Sequence, residues 1–376
     1  MSPQSARSRQ SPGAGQHAGE YGKHARVRAD AVPDTIEHVT QHDAVSIRWG
    51  ILGAGGIAGL VGPEIAAEPG NEVVAVGARD AGRAAQLAHA VGAPRSYGAY
   101  ADLVADADVD LIYIATTPGQ HHEQALLALR AGKPVLVEKP FTVNAREARE
   151  VVAEARARQL FCMEGMWMRL NPLIIRAQEI ALSGRIGKLI SVQADLWHLF
   201  EFDPKHRVYD LAAGSGALLD LGVYPATFAW LFLGRPDTVD ATGALAPTGT
   251  DASVGMQWSY RDGHFAQISC STQGTNPRTG VVAGTEGWIS VGGRVHRAPF
   301  ITVHDESGDE VLHQTIKGAG FNHEIAEVAR CLRAGEVESP RVPLDDTIAL
   351  LEVLDGARAQ LGVRYPADEV SAVPPA

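Results

Sequence analysis

The chain has 376 residues, with 33 Lys and Arg against 44 Asp and Glu, a formal net charge of −11. Its 45% hydrophobic and 20% charged content is that of an ordinary globular chain, and its length suggests two domains of roughly 100–200 residues each. The acidic balance argues against nucleic acid as the main partner, no stretch nears the ~18 consecutive apolar residues of a membrane span, and three scattered cysteines form neither a disulfide framework nor a zinc-ligand spacing.

Residues 1–45 are rich in Ser, Gln, Gly and Arg, and their basic and acidic residues cancel. With so little apolar surface to bury they are expected to form a disordered tail. They show neither an apolar h-region nor a twin arginine. The cysteine usage points to a reducing, cytoplasmic setting.

From residue 46 the pattern changes. A short apolar run at 47–52 ends in glycines, and 57–67 has helical content. Strands are predicted at 72–76, 111–115 and 135–138, each followed by a helix, at 82–90, 120–130 and 145–158. Short buried strands alternating with helices specify a parallel sheet of βαβ units. Beyond about residue 161 the alternation stops. A strand at 189–196 and a helix at 218–232 precede strand-like segments at 252–260, 264–271, 278–282, 287–291 and 300–303. Helices at 323–334 and 344–360 close the chain. The fold class expected is an α/β Rossmann domain, residues 46–165, plus an α+β domain, residues 166–376, with a large open, mainly antiparallel sheet.

Several motifs carry chemistry. Gly53-Ala54-Gly55-Gly56-Ile57-Ala58 is a G-x-G-x-x-A sequence between a predicted strand and a predicted helix. There Gly53 permits the tight turn, Gly55 and Gly56 let backbone approach a pyrophosphate, and Ala58 lets helix and strand pack closely. The second strand runs into Gly77-Ala78-Arg79-Asp80. An acid at the place of Ala78 would select NAD through its ribose hydroxyls. Arg79 instead suits a 2′-phosphate, so NADP is preferred over NAD; a solvated loop arginine is the bland alternative. Glu138-Lys139-Pro140 ends the fourth predicted strand, where ligands of such sheets bind, although a surface lysine reads almost as well. Asp220 and Tyr224 stand four apart and share one face of a helix. From the bare sequence, an acid near a helix N-terminus and a half-buried core tyrosine are the favoured reading of the pair.

Together these segments resemble the Gfo/Idh/MocA family of oxidoreductases. The resemblance runs from about Ser46 to the last helix. It rests on Gly53 to Ala58, the segment Asp110 to Thr116, the helix from His121, Ala131 to Pro140, Met163 to Arg169, and Gly216 to Pro225. The branch it approaches is that of the dimeric dihydrodiol dehydrogenases and NADP-dependent D-xylose 1-dehydrogenases. One departure is Thr117-Pro118-Gly119, where many members read Pro-Asn-Ser.

The resemblance implies Lys139 as catalytic lysine with a cis bond to Pro140, Tyr224 as acid/base, and Asp220 as an orienting residue. It also implies cofactor contacts at Thr116, His121, Glu138 and Arg169, and a substrate pocket bordered by Trp167, Arg207 and Tyr209. No metal is required. Tyr224 would need the Lys139 cation to make its phenolate accessible. A homodimer or a dimer of dimers, paired through the open sheets, is expected, with a small polyol, sugar or cyclic diol as substrate. A non-catalytic dinucleotide-binding sensor of the same fold is the alternative, and a bile-pigment reductase a weaker one.

Overall fold

Apolar runs too short to be helices, each bounded by turn residues, make the strands of the first sheet in the computed structural model, which describes residues 46–369. β1 (Ile47–Leu52) leads into α1 (Gly56–Ala67), β2 (Asn71–Gly77) into α2 (Ala81–Val91), and β3 (Arg95–Tyr97) into α3 (Tyr100–Val104). β4 (Leu111–Ile114), α4 (Pro118–Arg130), β5 (Val135–Glu138), α5 (Ala145–Arg158) and β6 (Cys162–Gly165) follow. All six strands are parallel, in the order β3-β2-β1-β4-β5-β6. Helices cover both faces, so β4 and β5 are buried along their whole length. The order reverses between β1 and β4, and at such a switch point the carboxyl ends of the strands open a crevice for a ligand. The expected disordered tail, residues 1–45, lies outside the described residues.

The second sheet follows α6 (Pro172–Leu182) and contains β7 (Leu189–Trp197). After α7 (Val223–Leu233) come β8 (Thr238–Leu245), β9 (Asp251–Ser259), β10 (Phe265–Ser271), β11 (Gly280–Gly284), β12 (Gly287–Gly292), β13 (Phe300–Asp305) and β14 (Gly308–His313). The order is β14-β13-β12-β11-β7-β10-β9-β8. β7 and β10 run parallel and every other neighbouring pair is antiparallel. Side chains alternate with period two. Val192, Ala194, Leu196, Val254, Met256, Trp258, Ala266 and Ile268 are buried on one face. Gln193, Gln257 and Gln267 lie on the other, which is open.

The chain then returns to the first sheet. In α8 (Asn322–Ala334) and α9 (Leu344–Leu361) the helices pack beside α1 and α5. Asp355 of α9 accepts a hydrogen bond from the Ala145 amide at the start of α5, at 2.9 Å. The segment Leu211–Leu233 is long and apolar enough to cross a membrane by length and composition, yet 78% of its apolar window is buried inside the protein. Its apolar residues are those of a core helix packed against the second sheet, and Asp220 interrupts them.

Candidate active site

The glycine turn after β1 is shaped from both sides. Gly53 has φ +108°, and a Cβ there would sit 2.8 Å from the Ala115 carbonyl oxygen, so only glycine fits. At Gly56 a Cβ would meet nothing within 4 Å, and at Gly55 only an ordinary contact. The room beside these two residues therefore opens on a cavity rather than on packed protein. α1 begins here with no side-chain cap and no acidic residue in its first turn, which leaves its amide groups free for a phosphate. Gly53, Gly55, Gly56 and Ile57 line a cavity of about 640 Å³. Ala58 is fully buried behind them, where the helix rests on the sheet.

At the far end of the cavity Arg79, Asp80 and Arg83 form the rim beyond β2. The one carboxylate there, Asp80, is engaged: it caps α2 by accepting the Arg83 amide at 3.0 Å. The Arg79 guanidinium has no hydrogen-bond partner among the described residues. Arg83, one helical turn on, reaches back to the Ala54 carbonyl at 2.6 Å. Arg83 was not singled out by sequence reasoning. Its spacing of four from Arg79 was the available signal.

The opposite end of the cavity is built from β4, α4 and β5. Thr116 lines it, with a buried Oγ1 that has no partner among the described residues. His121 lies behind this wall, within reach of the Pro140 and Thr116 carbonyls at 2.9 and 3.2 Å. Burial depresses its pKa, so the ring is a neutral strut that ties the Lys139–Pro140 segment to α4. The Lys139–Pro140 bond is cis. Glu138 accepts the Tyr113 hydroxyl at 2.5 Å, and burial pushes its carboxyl up to about 7. The departure at Thr117-Pro118-Gly119 has a structural cause. A Cβ on Gly119 would lie 2.4 Å from the Ala212 carbonyl, so glycine lets the 210–214 loop pack against the start of α4.

Lys139 joins the cavity to the second domain. Its Nζ donates to the Asp220 carbonyl at 2.7 Å, stands 3.5 Å from the Asp220 carboxylate, and lies 4.9 Å from the Tyr224 ring centroid. Arg207 grips the same carboxylate with both terminal nitrogens, at 2.9 and 3.2 Å. Burial alone would raise the pKa of Asp220, but the two cations hold it below the usual carboxylate range. The backbone widens into a π turn at Leu218–Gly222 just before α7. Pro225, which has no amide proton to give, falls in the first turn beyond it.

The Tyr224 hydroxyl accepts the Trp167 indole N–H at 2.9 Å. An indole N–H only donates, so the phenol proton is free to turn elsewhere. Its pKa runs opposite to expectation. Burial, with the negative charges of Glu138 and Asp220, holds it well above the usual phenol value. Lys139 does not offset this, because it approaches the ring face and is neutralised by Asp220. Tyr224 is therefore a stored proton at neutral pH.

Two expected site residues lie elsewhere. Arg169 turns away from the cavity because a 3₁₀ turn, Trp167–Leu170, sends residues two apart to different sides. It bonds the Arg341 carbonyl at 3.1 Å and Asp346 at 2.6 Å. Tyr209 packs against Phe202 and gives its hydroxyl to the Phe200 carbonyl at 3.0 Å, which shapes the loop that carries Arg207.

Glu324, in the first turn of α8, was also missed. It is wholly buried, both carboxyl oxygens lack partners among the described residues, and burial with the charges of Glu138 and Glu64 raises its pKa well above normal. An acid whose folded pKa exceeds its unfolded one costs stability as pH rises past the unfolded value, by up to about 1.4 kcal/mol per pH unit. Glu324→Gln is therefore expected to melt above the parent, by a margin that is larger at pH 8 than at pH 5. Melting curves at the two pH values check this, and a margin that stays constant or reverses would refute it.

Residues 47–166 match the Gfo/Idh/MocA oxidoreductase family with its NAD-binding Rossmann fold, and residues 174–290 match the Gfo/Idh/MocA C-terminal domain. The chain is 37% identical over 337 residues to trans-1,2-dihydrobenzene-1,2-diol dehydrogenase of Mus musculus, covering 86% of this chain and 100% of that one. It is 33% identical over 368 residues to D-xylose 1-dehydrogenase (NADP(+)) of Hypocrea jecorina, covering 85% and 93%. Among solved structures it is similar to a 3-ketoreductase from Actinomadura kijaniata in complex with NADP and TDP-benzene. The TM-score is 0.75 at 28% identity, over 84% of this chain and 98% of that one.

Proposed function

The chain belongs to the Gfo/Idh/MocA oxidoreductase family, and on that premise we propose that it is an NADP-dependent dehydrogenase of sugars, inositols or cyclic diols. One observation carries the reading: Lys139 and Asp220 line a cavity that also holds a glycine turn and an arginine rim, and the Lys139 ammonium stands over the Tyr224 ring at 4.9 Å. The two relatives named above are dehydrogenases of a diol and of a sugar, one of them NADP-linked.

NADP fits the residues present. The open sides of Gly55 and Gly56 and the uncapped start of α1 suit its pyrophosphate, Arg79 and Arg83 its 2′-phosphate, and the unpartnered Thr116 hydroxyl the nicotinamide half. When bound, the nicotinamide exchanges a hydride with the carbon that bears the reacting oxygen. Tyr224 supplies the proton in reduction and recovers it in oxidation. Trp167 fixes the phenol oxygen, and Lys139 and Arg207 hold the Asp220 carboxylate ionised and oriented. Residues 46–165 serve as the dinucleotide domain. Residues 166–376 serve as the substrate and pairing domain, and the open face of its sheet is the dimer surface. Three free, buried cysteines suit a cytoplasmic setting. The sensor alternative would need the lysine or the acid/base lost, and both are present and in contact.

The test is a screen of aldoses, inositols and cyclic diols with NADP, and of their ketones or lactones with NADPH, following the reduced-nicotinamide band. Turnover on at least one class is expected. Tight NADPH binding without turnover on any of them would overturn the reading.

A further inference from the structure

A third ring completes the aromatic group around Tyr224, and the chemistry above leaves it unused. His296 sits in the 3₁₀ turn Val295–Arg297, between β12 and β13. Its ring centroid lies 4.9 Å from Tyr224 and 5.7 Å from Trp167, and Phe321 flanks Trp167 at 4.8 Å. Neither ring nitrogen has a hydrogen-bond partner among the described residues, and Nδ1 is buried without one. A structural histidine in such a place is normally tied down, as neutral His121 is by the one N–H it gives to a backbone carbonyl. Burial and the neighbouring cations Lys139, Arg294, Arg278 and Arg297 push the His296 pKa down to about 3. The imidazole therefore stays neutral and keeps one nitrogen that donates and one that accepts.

This pairing of donor and acceptor matches a hydroxyl, which also does both. Tyr224 is spoken for by the reacting oxygen. A ring this close to it can be touched by the same small molecule through an adjoining substituent. Trp167 and Phe321 add apolar surface beside it, where the C–H face of a cyclic substrate packs while its hydroxyl edge meets polar groups.

We propose that His296 is a specificity-determining residue that takes the hydroxyl next to the reacting carbon, so that the site selects vicinal diols, free or within a sugar ring, over lone alcohols. The inference rests on the proposed role of Tyr224. It agrees with the names of the two relatives, dehydrogenases of a 1,2-diol and of an aldose, whose substrates share a hydroxyl beside the oxidised carbon.

The experiment compares matched substrates with NADP: trans-1,2-cyclohexanediol against cyclohexanol, and D-xylose against its 2-deoxy analogue. The parent is expected to favour the diol or sugar by about tenfold or more in kcat/KM, the size of one hydrogen bond made to a site that would otherwise be left unpaired. His296→Phe keeps an aromatic wall and removes both polar nitrogens. It should erase that preference, mainly through KM, while NADPH affinity and turnover of the lone alcohol stay within about threefold. His296→Gln, which restores a donor and an acceptor, should recover part of it. A parent that turns over both members of a pair equally overturns the proposal before any variant is made. So does an equal loss on both members in His296→Phe, or a parental preference retained by both variants. If the parent turns over no diol and no sugar, the functional reading falls and takes this inference with it. If it turns them over without discrimination, only the role of His296 falls.

Discussion

Tyr224→Phe is expected to lower kcat by roughly 10²–10⁴-fold, the range for loss of a general acid or base, with NADPH affinity unchanged within about threefold. The substitution keeps the ring beneath the Lys139 cation and its contact with His296. It removes the oxygen that accepts the Trp167 N–H and the only proton the ring can deliver. Lys139→Ala should fall in the same range for a different reason. Without that ammonium, Asp220 retains only Arg207 as a counter-charge in a buried site, and its carboxylate loses its fixed position. The double variant should be little worse than either single one, because groups that work as a unit fail together. pH sharpens the test. A phenol held well above its usual value is protonated across the neutral range. Carbonyl reduction should therefore be flat there, while alcohol oxidation should climb into the alkaline range as the phenolate becomes available. kcat in both directions from pH 6 to 10, for the parent and the three variants, reads all of this. A Tyr224→Phe enzyme near parental turnover would remove the residue from the mechanism.

The first domain was readable because its strands are short and apolar, the first two close at glycine, and each is followed by a helix. β3 and α3 escaped: Arg95–Tyr97 is a three-residue edge strand with polar ends, and Tyr100–Val104 is barely one turn. β6 was hidden by Glu164 in its middle, a buried acid that makes sense only once Thr347 and the Phe141 amide are seen to bond it. In the second domain β8 and β14 are edge strands with mostly exposed residues, so alternation carried no hydrophobic signal. The site divided along the same line. Gly53, Lys139 and Tyr224 announce themselves through local sequence. Arg207 could be placed near the substrate because its loop precedes Asp220, but its bidentate hold on that carboxylate is a tertiary fact. Arg169 and Tyr209, chosen for their place in a motif or loop, turn away, because neighbours in a 3₁₀ turn do not share a face. His296 and Glu324 arrive from 70 and more residues beyond Tyr224, and no periodicity marks either one. The proton balance of Tyr224 was equally out of reach, since it depends on which carboxylates lie nearby and on Asp220 claiming the lysine.

Cofactor choice should turn on two arginines together. Arg79→Ala/Arg83→Ala is expected to weaken NADPH binding by about 10²-fold or more and NADH binding by less than about threefold. Each charged contact to a 2′-phosphate is worth ~1.5–3 kcal/mol, and 1.4 kcal/mol is a factor of ten. The single variants should each show a smaller loss than the pair. Arg79 is exposed and free to swing onto a phosphate, whereas Arg83 is already steadied by the Ala54 carbonyl at 2.6 Å and so approaches from a fixed direction. The one carboxylate on this rim among the described residues, Asp80, does not favour NADH, because capping α2 fixes one of its oxygens on the Arg83 amide. An acid in the position that selects NAD would have to come from residue 78, and Ala78 is buried, with its amide bonded to Tyr97. Fluorescence titration of both reduced cofactors at two salt concentrations separates the contributions. The NADPH advantage should shrink with salt in the parent, because exposed ion pairs are screened, and should be nearly absent at either salt in the double variant. Equal affinity of the parent for the two cofactors would show that the rim does not read the 2′-phosphate at all.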